Sequence, residues 1–171
     1  MANTYTLIAS NTLTSSAASV TFSSIPSTYT DLVLRVSART DYADTLDNIG
    51  VQFNSDTGST YSATRIRGNG SATASARSSS TYPLTIHAGA DGSTATSSTF
   101  SNWELYIPNY TVSQNKPIAS FSVQENNAAL AYIHSHAGLW SNTATISSIY
   151  LYGLGNFVSG SSFYLYGIKN S

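Results

Sequence analysis

Ile149-Tyr150-Leu151-Tyr152-Gly153-Leu154, answered further on by Phe163-Tyr164-Leu165-Tyr166-Gly167-Ile168, is the stretch that decides the fold. In both segments aliphatic and phenolic side chains alternate every second residue, the period of a β-strand whose successive side chains point to opposite faces. Between them, Gly155-Asn156-Phe157-Val158-Ser159-Gly160 carries glycines and an asparagine that tolerate positive φ. The pair is therefore expected to form a hairpin with a longer loop. Leu151 and Leu165 then face one side, and Tyr150, Tyr152, Tyr164 and Tyr166 the other. A ribbon aliphatic on one side and aromatic on the other needs cover on both, which places it centrally in a sandwich or against a partner subunit.

The same period recurs along the chain. Thr4 to Leu13 alternates weakly, as a strand or an extended N-terminal arm over residues 1–13, and Ser19 to Ser23 places Val20 and Phe22 on one face. Pro26 interrupts the ladder, since it lacks a donor and restricts Ile25. Asp31 to Arg39 is the clearest strand, with Leu32, Leu34, Val36 and Ala38 on one side. Ile49, Val51 and Phe53 form a strand, the turn Asn54 to Ser59 follows, and Thr60 to Gly68 is expected to pair back as a hairpin. Because Ala63, Arg65 and Arg67 share a side of that return strand, it reads as a charged edge. Asn69 to Ser80, small and polar, reads as a mobile loop.

Thr81 to Ala88 recovers a strand through Tyr82, Leu84 and Ile86, and Pro83 suggests that it begins at an edge. Phe100 and Trp103 break strict alternation within Thr99 to Ile107, which predicts a bulge near Ser101. Ile118 to Glu125 is a strand with Ala119, Phe121 and Val123 inward. Leu130 to Leu139 follows, with Ile133 and Ala137 on one face and Tyr132, His134 and His136 on the other. The expectation is an all-β fold: one antiparallel β-sandwich domain over residues 1–171, jelly-roll-like, of about ten strands.

Composition bounds the function. A chain of 171 residues is long enough to bury roughly two thirds of its unfolded surface without staples. With no cysteine, it gains stability from packing and sheet hydrogen bonds. Only 9% of residues are charged and the net charge is −1, so no basic stripe exists to neutralise nucleic-acid phosphates. Low charge also suits a surface packed beside copies of itself, since charges are costly to desolvate. Aromatic content of 12% opposes disorder. Met1 to Tyr5 has neither a basic nor an apolar leader segment, so no signal peptide is expected, and no window reaches membrane-spanning length.

Several residue groups could carry chemistry. His134-Ser135-His136 would set two imidazoles on one strand face about 7 Å apart, near enough to share a metal if His87 joined them. Cupin-type sites follow such a His-x-His with a carboxylate, whereas Ala137, Gly138, Leu139 and Trp140 follow here, so polar positions on a half-exposed strand are the competing account. Asp41, Asp44 and Asp47 could gather calcium, but their spacing departs from the known loop pattern and a solvated acidic loop explains them as well. Gly68-Asn69-Gly70 is a turn, and Gly-x-Ser-x-Gly is absent. Neither a cofactor nor a catalytic set is expected. Tyr42 and Tyr110 beside loops, with Arg65, Arg67 and Arg77, are candidates for partner binding through ring stacking and planar donors. Trp140, at an apolar strand end, reads as core.

Five phrases carry a resemblance: Ser24-Ile25-Pro26-Ser27-Thr28-Tyr29-Thr30-Asp31-Leu32-Val33-Leu34, Phe53-Asn54-Ser55-Asp56-Thr57-Gly58-Ser59-Thr60-Tyr61-Ser62, Ile107-Pro108-Asn109-Tyr110, Gly138-Leu139-Trp140-Ser141-Asn142-Thr143 and Tyr164-Leu165-Tyr166-Gly167-Ile168. Together they resemble a β-sandwich module recurring in virion proteins of tailed bacteriophages, over almost the whole chain. The resemblance implies a non-enzymatic virion component and supplies no active residues. Its free-standing form decorates capsids; its other form ends tail fibres. Because the β pattern fills the chain, the expectation is a cement or decoration protein on the capsid exterior, made in the host cytoplasm. Its partners would be the major capsid protein and sister copies in a homotrimer, with no nucleic acid and no membrane. The alternative is a tail-fibre or receptor-binding module that recognises host surface glycan.

Overall fold

The computed structural model describes residues 4–127 and 130–169. In chain order the strands are β1 (Tyr5–Thr12), β2 (Ala17–Phe22), β3 (Asp31–Ala38), β4 (Leu46–Phe53), β5 (Tyr61–Gly68), β6 (Thr73–Thr81), β7 (Leu84–Asp91), β8 (Ser101–Ile107), β9 (Lys116–Gln124), β10 (Tyr132–Trp140), β11 (Ile149–Phe157) and β12 (Ser162–Ile168). They form an eight-stranded sheet in the order β1-β12-β3-β8-β9-β10-β5-β6 and a four-stranded sheet in the order β2-β11-β4-β7. Every ladder is antiparallel. The all-β sandwich expected from the sequence is present, with twelve strands in place of about ten.

The core lies between the sheets. Leu32, Leu34, Val36, Trp103, Leu105, Phe163 and Leu165 come from the long sheet, and Val20, Ile49, Val51, Phe53, Ile86, Ile149 and Leu151 from the short one. At one end Phe53 and Tyr61 flank Trp140, with ring centroids 5.5 Å and 6.5 Å from it. Trp140 Nε1 donates to Asp56 Oδ2 at 2.7 Å, and Asp56 also accepts from Gly58 N and Thr60 Oγ1. Thus the β4–β5 turn is tied to the core, which satisfies the one polar atom that a buried indole carries.

Two expected hairpins are corners between sheets. β11 pairs with β2 and β4, whereas β12 pairs with β1 and β3. Their alternation is that of strands, but the chain crosses the core between them, and Phe157 meets Phe163 edge-to-face at 5.0 Å. Both strands are internal to their sheets, and their tyrosine faces are only partly covered. Likewise β4 pairs with β11 and β7, while β5 lies in the other sheet between β10 and β6. Alternation specifies strand and face but not the partner, which is set by which sheet the turn delivers the chain into.

Four further expectations change. Residues 69–80, read as a loop, are largely β6, which pairs with β5 and becomes the edge in its place. Asn69 Oδ1 accepts from the N–H groups of Ser71 and Ala72 and makes the turn. β8 begins at Ser101 and pairs without a register shift, because Phe100 lies ahead of the strand and no bulge is needed. In β9, Lys116, Ile118, Ser120, Ser122 and Gln124 face inward, and Ala119, Phe121 and Val123 outward, the reverse of the hydrophobic reading. Asp47 is not on a solvated loop; it is buried in β4, accepting from Thr40 Oγ1 and the backbone N–H groups of Leu154 and Gly155.

Candidate functional site

The inverted face of β9 follows from the unequal width of the sheets. β7 is an edge strand of the short sheet, and it lies over β9 and β10 of the long one. Gly138 permits this approach, since a Cβ there would stand 3.0 Å from Leu84 Cδ1. The free edge of β7 has buried N–H and C=O groups that need partners. Side chains of the long sheet supply them. Ser122 Oγ donates to the His87 carbonyl at 2.9 Å, Trp103 Nε1 donates to the Gly89 carbonyl at 2.8 Å, and the His87 N–H points to His136 Nε2 at 3.4 Å. Gln124 Nε2 and Ser101 Oγ donate to buried Asp91 at the end of β7. Polar residues therefore stand inward where a sheet edge, not a sheet face, lies above them.

Cross-strand rows show the transition. One row runs Leu165, Leu34, Leu105, Ser120, His136, Arg65 and Ala76 from β12 to β6. It begins aliphatic beneath the short sheet, turns polar beneath β7 and ends cationic where cover stops. The next row places Ser122, His134 and Arg67 in the same sequence.

The structure does bring His87 to His134 and His136. The three rings form a triangle of near-parallel imidazoles, with centroids 5.5 Å to 6.1 Å apart and interplanar angles of 6° to 15°. Among the described residues no group of three His, Cys, Asp or Glu is arranged to hold a metal ion. His134 and His136 are 3% and 5% exposed, so they occupy buried positions, not a half-exposed face. Burial, and then the charge of Arg65 with its neighbours, hold His87 down at about 3. Burial and then Arg65 and Arg67 hold His134 at about 4; burial, His134 and Arg65 do the same for His136. All three imidazoles are neutral at pH 7. Their Nδ1 atoms on His134 and His136 are buried without a hydrogen-bond partner, as are Ser120 Oγ, Gln124 Oε1 and Asp91 Oδ2 along the same seam.

Beyond β7 the β5–β6 hairpin continues past the short sheet and leaves a cleft of about 350 Å³. Arg65, Arg77, Ser78, Thr81, Tyr82, Pro83, Thr85, His87 and His136 line it. Arg67 lies in the same strand, its guanidinium 5.2 Å from the centre of the Tyr132 ring. No carboxylate lies within 4 Å of any of these three guanidinium groups among the described residues, the Arg35–Glu104 pair on the opposite face being the ion pair found. The sequence signal was available: from Tyr61 to Ala90 there are three arginines and no Asp or Glu.

The other candidates are dispersed. Tyr110 is fully buried, its hydroxyl donating to the Pro26 carbonyl, so its ring presents no face to a partner. Tyr42 is half-buried in the β3–β4 loop, where its carbonyl accepts from the N–H groups of Asp44 and Ser93. Asp41 accepts from the backbone N–H and side-chain amide of Asn156, and Asp44 from Thr45 N, so each of these acids is held by donors of the fold itself. Trp140 is core, as expected.

Sequence reading missed the outer face of the long sheet. Inversion of β9 and burial of the β10 histidines turn Phe121 and Ile133 outward, each 49% exposed, beside Ile66 at 61%. Tyr164, Arg35, Glu104 and Phe121 form one cross-strand row, and Arg35 stacks over Tyr5 and Tyr166 while paired to Glu104 at 2.8 Å. Leu7, half exposed, lies on the same face at the opposite edge of the sheet, on β1. No family model, no curated protein and no solved structure matches the chain.

Proposed function

We propose that the chain is a non-enzymatic structural protein of a tailed-phage virion, a capsid cement or decoration protein that adheres through the outer face of its eight-stranded sheet. The observation that carries this reading is the exposure of Phe121, Ile133, Ile66 and Leu7 on one broad sheet face that, among the described residues, holds a single ion pair. Exposed apolar side chains gathered on one face in this way mark an interaction site. Each patch buried against the assembled shell, and not against separated subunits, shifts the balance towards the shell by mass action. The buried carboxylates are consistent with a scaffold: Asp47 and Asp91 accept from backbone or side-chain donors of the fold itself. A homotrimer on threefold lattice positions, contacting the major capsid protein, is the assembly proposed.

Quantifying the chain in purified particles tests this. A cement protein is retained in lattice-wide, stoichiometric copy number on the capsid exterior; a handful of copies confined to the tail contradicts it. A tail-fibre or receptor-binding module is the second reading, and the arginine-bearing cleft is the observation that favours it.

A further inference from the structure

We propose that the cleft between β7 and the β5–β6 hairpin binds a small polyhydroxylated carboxylate, the chemistry of an acidic sugar unit. The site itself stands on the cleft alone; only its use in host recognition rests on the second reading above.

Three independent features converge there. The first is uncompensated positive charge. Arg65 and Arg77 both line the cleft; Arg67, two residues on from Arg65 and roughly 7 Å along the strand, lies outside it over the Tyr132 ring, and burial together with Arg67 pulls the Arg65 guanidinium below its ordinary value. With no carboxylate near either group among the described residues, an anion would relieve their repulsion. A guanidinium fork matches a planar carboxylate with two parallel hydrogen bonds, which adds geometric selectivity to charge.

The second is a buried donor. His136 lines the cleft, and its Nε2 faces the His87 N–H at 3.4 Å. In the neutral ring this network assigns the proton to Nδ1, which is buried and has no acceptor. Leaving such a donor unpaired costs stability, so an acceptor that reached it from the cleft would be favoured.

The third is the rest of the lining. Ser78, Thr81 and Thr85 contribute hydroxyls, and Tyr82 an aromatic ring 38% exposed. Hydroxyls exchange hydrogen bonds with a polyol, and an exposed ring covers the C–H face of a sugar. A volume of about 350 Å³ falls at the small end of ligand sites and suits one such unit.

The test is an NMR titration of the purified full chain, following the Arg65 side chain and Tyr82. Galacturonate and its short oligomers are the probes, with galactose, acetate and inorganic phosphate as comparisons. Saturable shifts are expected from galacturonate, with binding about tenfold weaker or worse for each comparison. Arg65→Gln and Arg77→Gln should each weaken galacturonate by about tenfold while the thermal midpoint stays near that of the parent chain. Tighter binding of the oligomer would identify the ligand as a unit of a polysaccharide; equal binding would identify the free acid sugar. The proposal is overturned if millimolar galacturonate leaves the shifts unchanged, if galactose or phosphate binds as well, or if both arginine variants retain full affinity. Because no shell is involved, this result and the particle copy number can fail separately.

Discussion

Ser122 Oγ donates a 2.9 Å hydrogen bond to the carbonyl oxygen of His87, and through it a central strand of the long sheet closes the open edge of the short one. Ser122 is wholly buried. Ser122→Ala leaves that carbonyl without its donor in a site water does not replace cheaply, so a loss of about 1–3 kcal/mol is expected. Chemical unfolding measures it. Stability equal to the parent would show that the β7 edge does not depend on this contact.

The buried histidine trio makes stability depend on pH. His87 titrates at about 3 and His134 and His136 at about 4, held there by burial and by the charges of Arg65 and Arg67. In the unfolded chain histidine titrates near 6.5. Between those values the unfolded state binds more protons, so stability is fully present above about pH 6.5 and falls as the pH drops towards 4. Unfolding free energies from urea titrations at pH 7 and pH 5 should differ by an amount on the order of a few kcal/mol. The difference should shrink in His134→Gln; a flat profile would contradict neutral buried imidazoles.

Asp56 holds the β4–β5 corner by accepting from Trp140 Nε1, Thr60 Oγ1 and Gly58 N. Asp56→Ala strands a buried indole N–H and should cost about 2 kcal/mol. Asp56→Asn, which keeps an acceptor oxygen, should recover part of that loss. Thermal unfolding of the two variants checks the order, and equal destabilisation would contradict the assignment.

β6 lies exposed along nearly all its length and pairs only with β5. Its amides should exchange with solvent by local opening well before those of β9, which is internal to the sheet. Hydrogen exchange read by mass spectrometry separates the two, and comparable protection would indicate that another strand covers the β6 edge.

Strand faces were legible wherever apolar alternation coincided with cover, as in β3, where Leu32, Leu34 and Val36 point inward. The reading inverted in β9 because what lies above Ser120 and Ser122 is an edge strand with backbone groups to satisfy, and nothing local in the sequence announces that. The β11 and β12 strands were legible as strands but not as members of different sheets, since a turn of glycines serves a hairpin and a corner alike. Residues 73–80 looked like part of a loop because an edge strand with solvent on both faces needs no apolar period. At the site, the His-x-His pair was visible, and its conversion from a metal candidate to a neutral trio depended on burial beneath β7 and then on the charges of Arg65 and Arg67, all set by strands distant along the chain.

The outer face of the long sheet is the centre of the functional account, and Phe121 and Ile133 are its most exposed central side chains. The direct measurement is cosedimentation of the purified chain with phage shells stripped of it, comparing the parent with Phe121→Asp and Ile133→Asp. The account predicts saturable, lattice-wide binding by the parent and a loss of about tenfold or more in each variant, with folding intact. Failure of the parent to bind shells, or full binding by both aspartate variants, would contradict it.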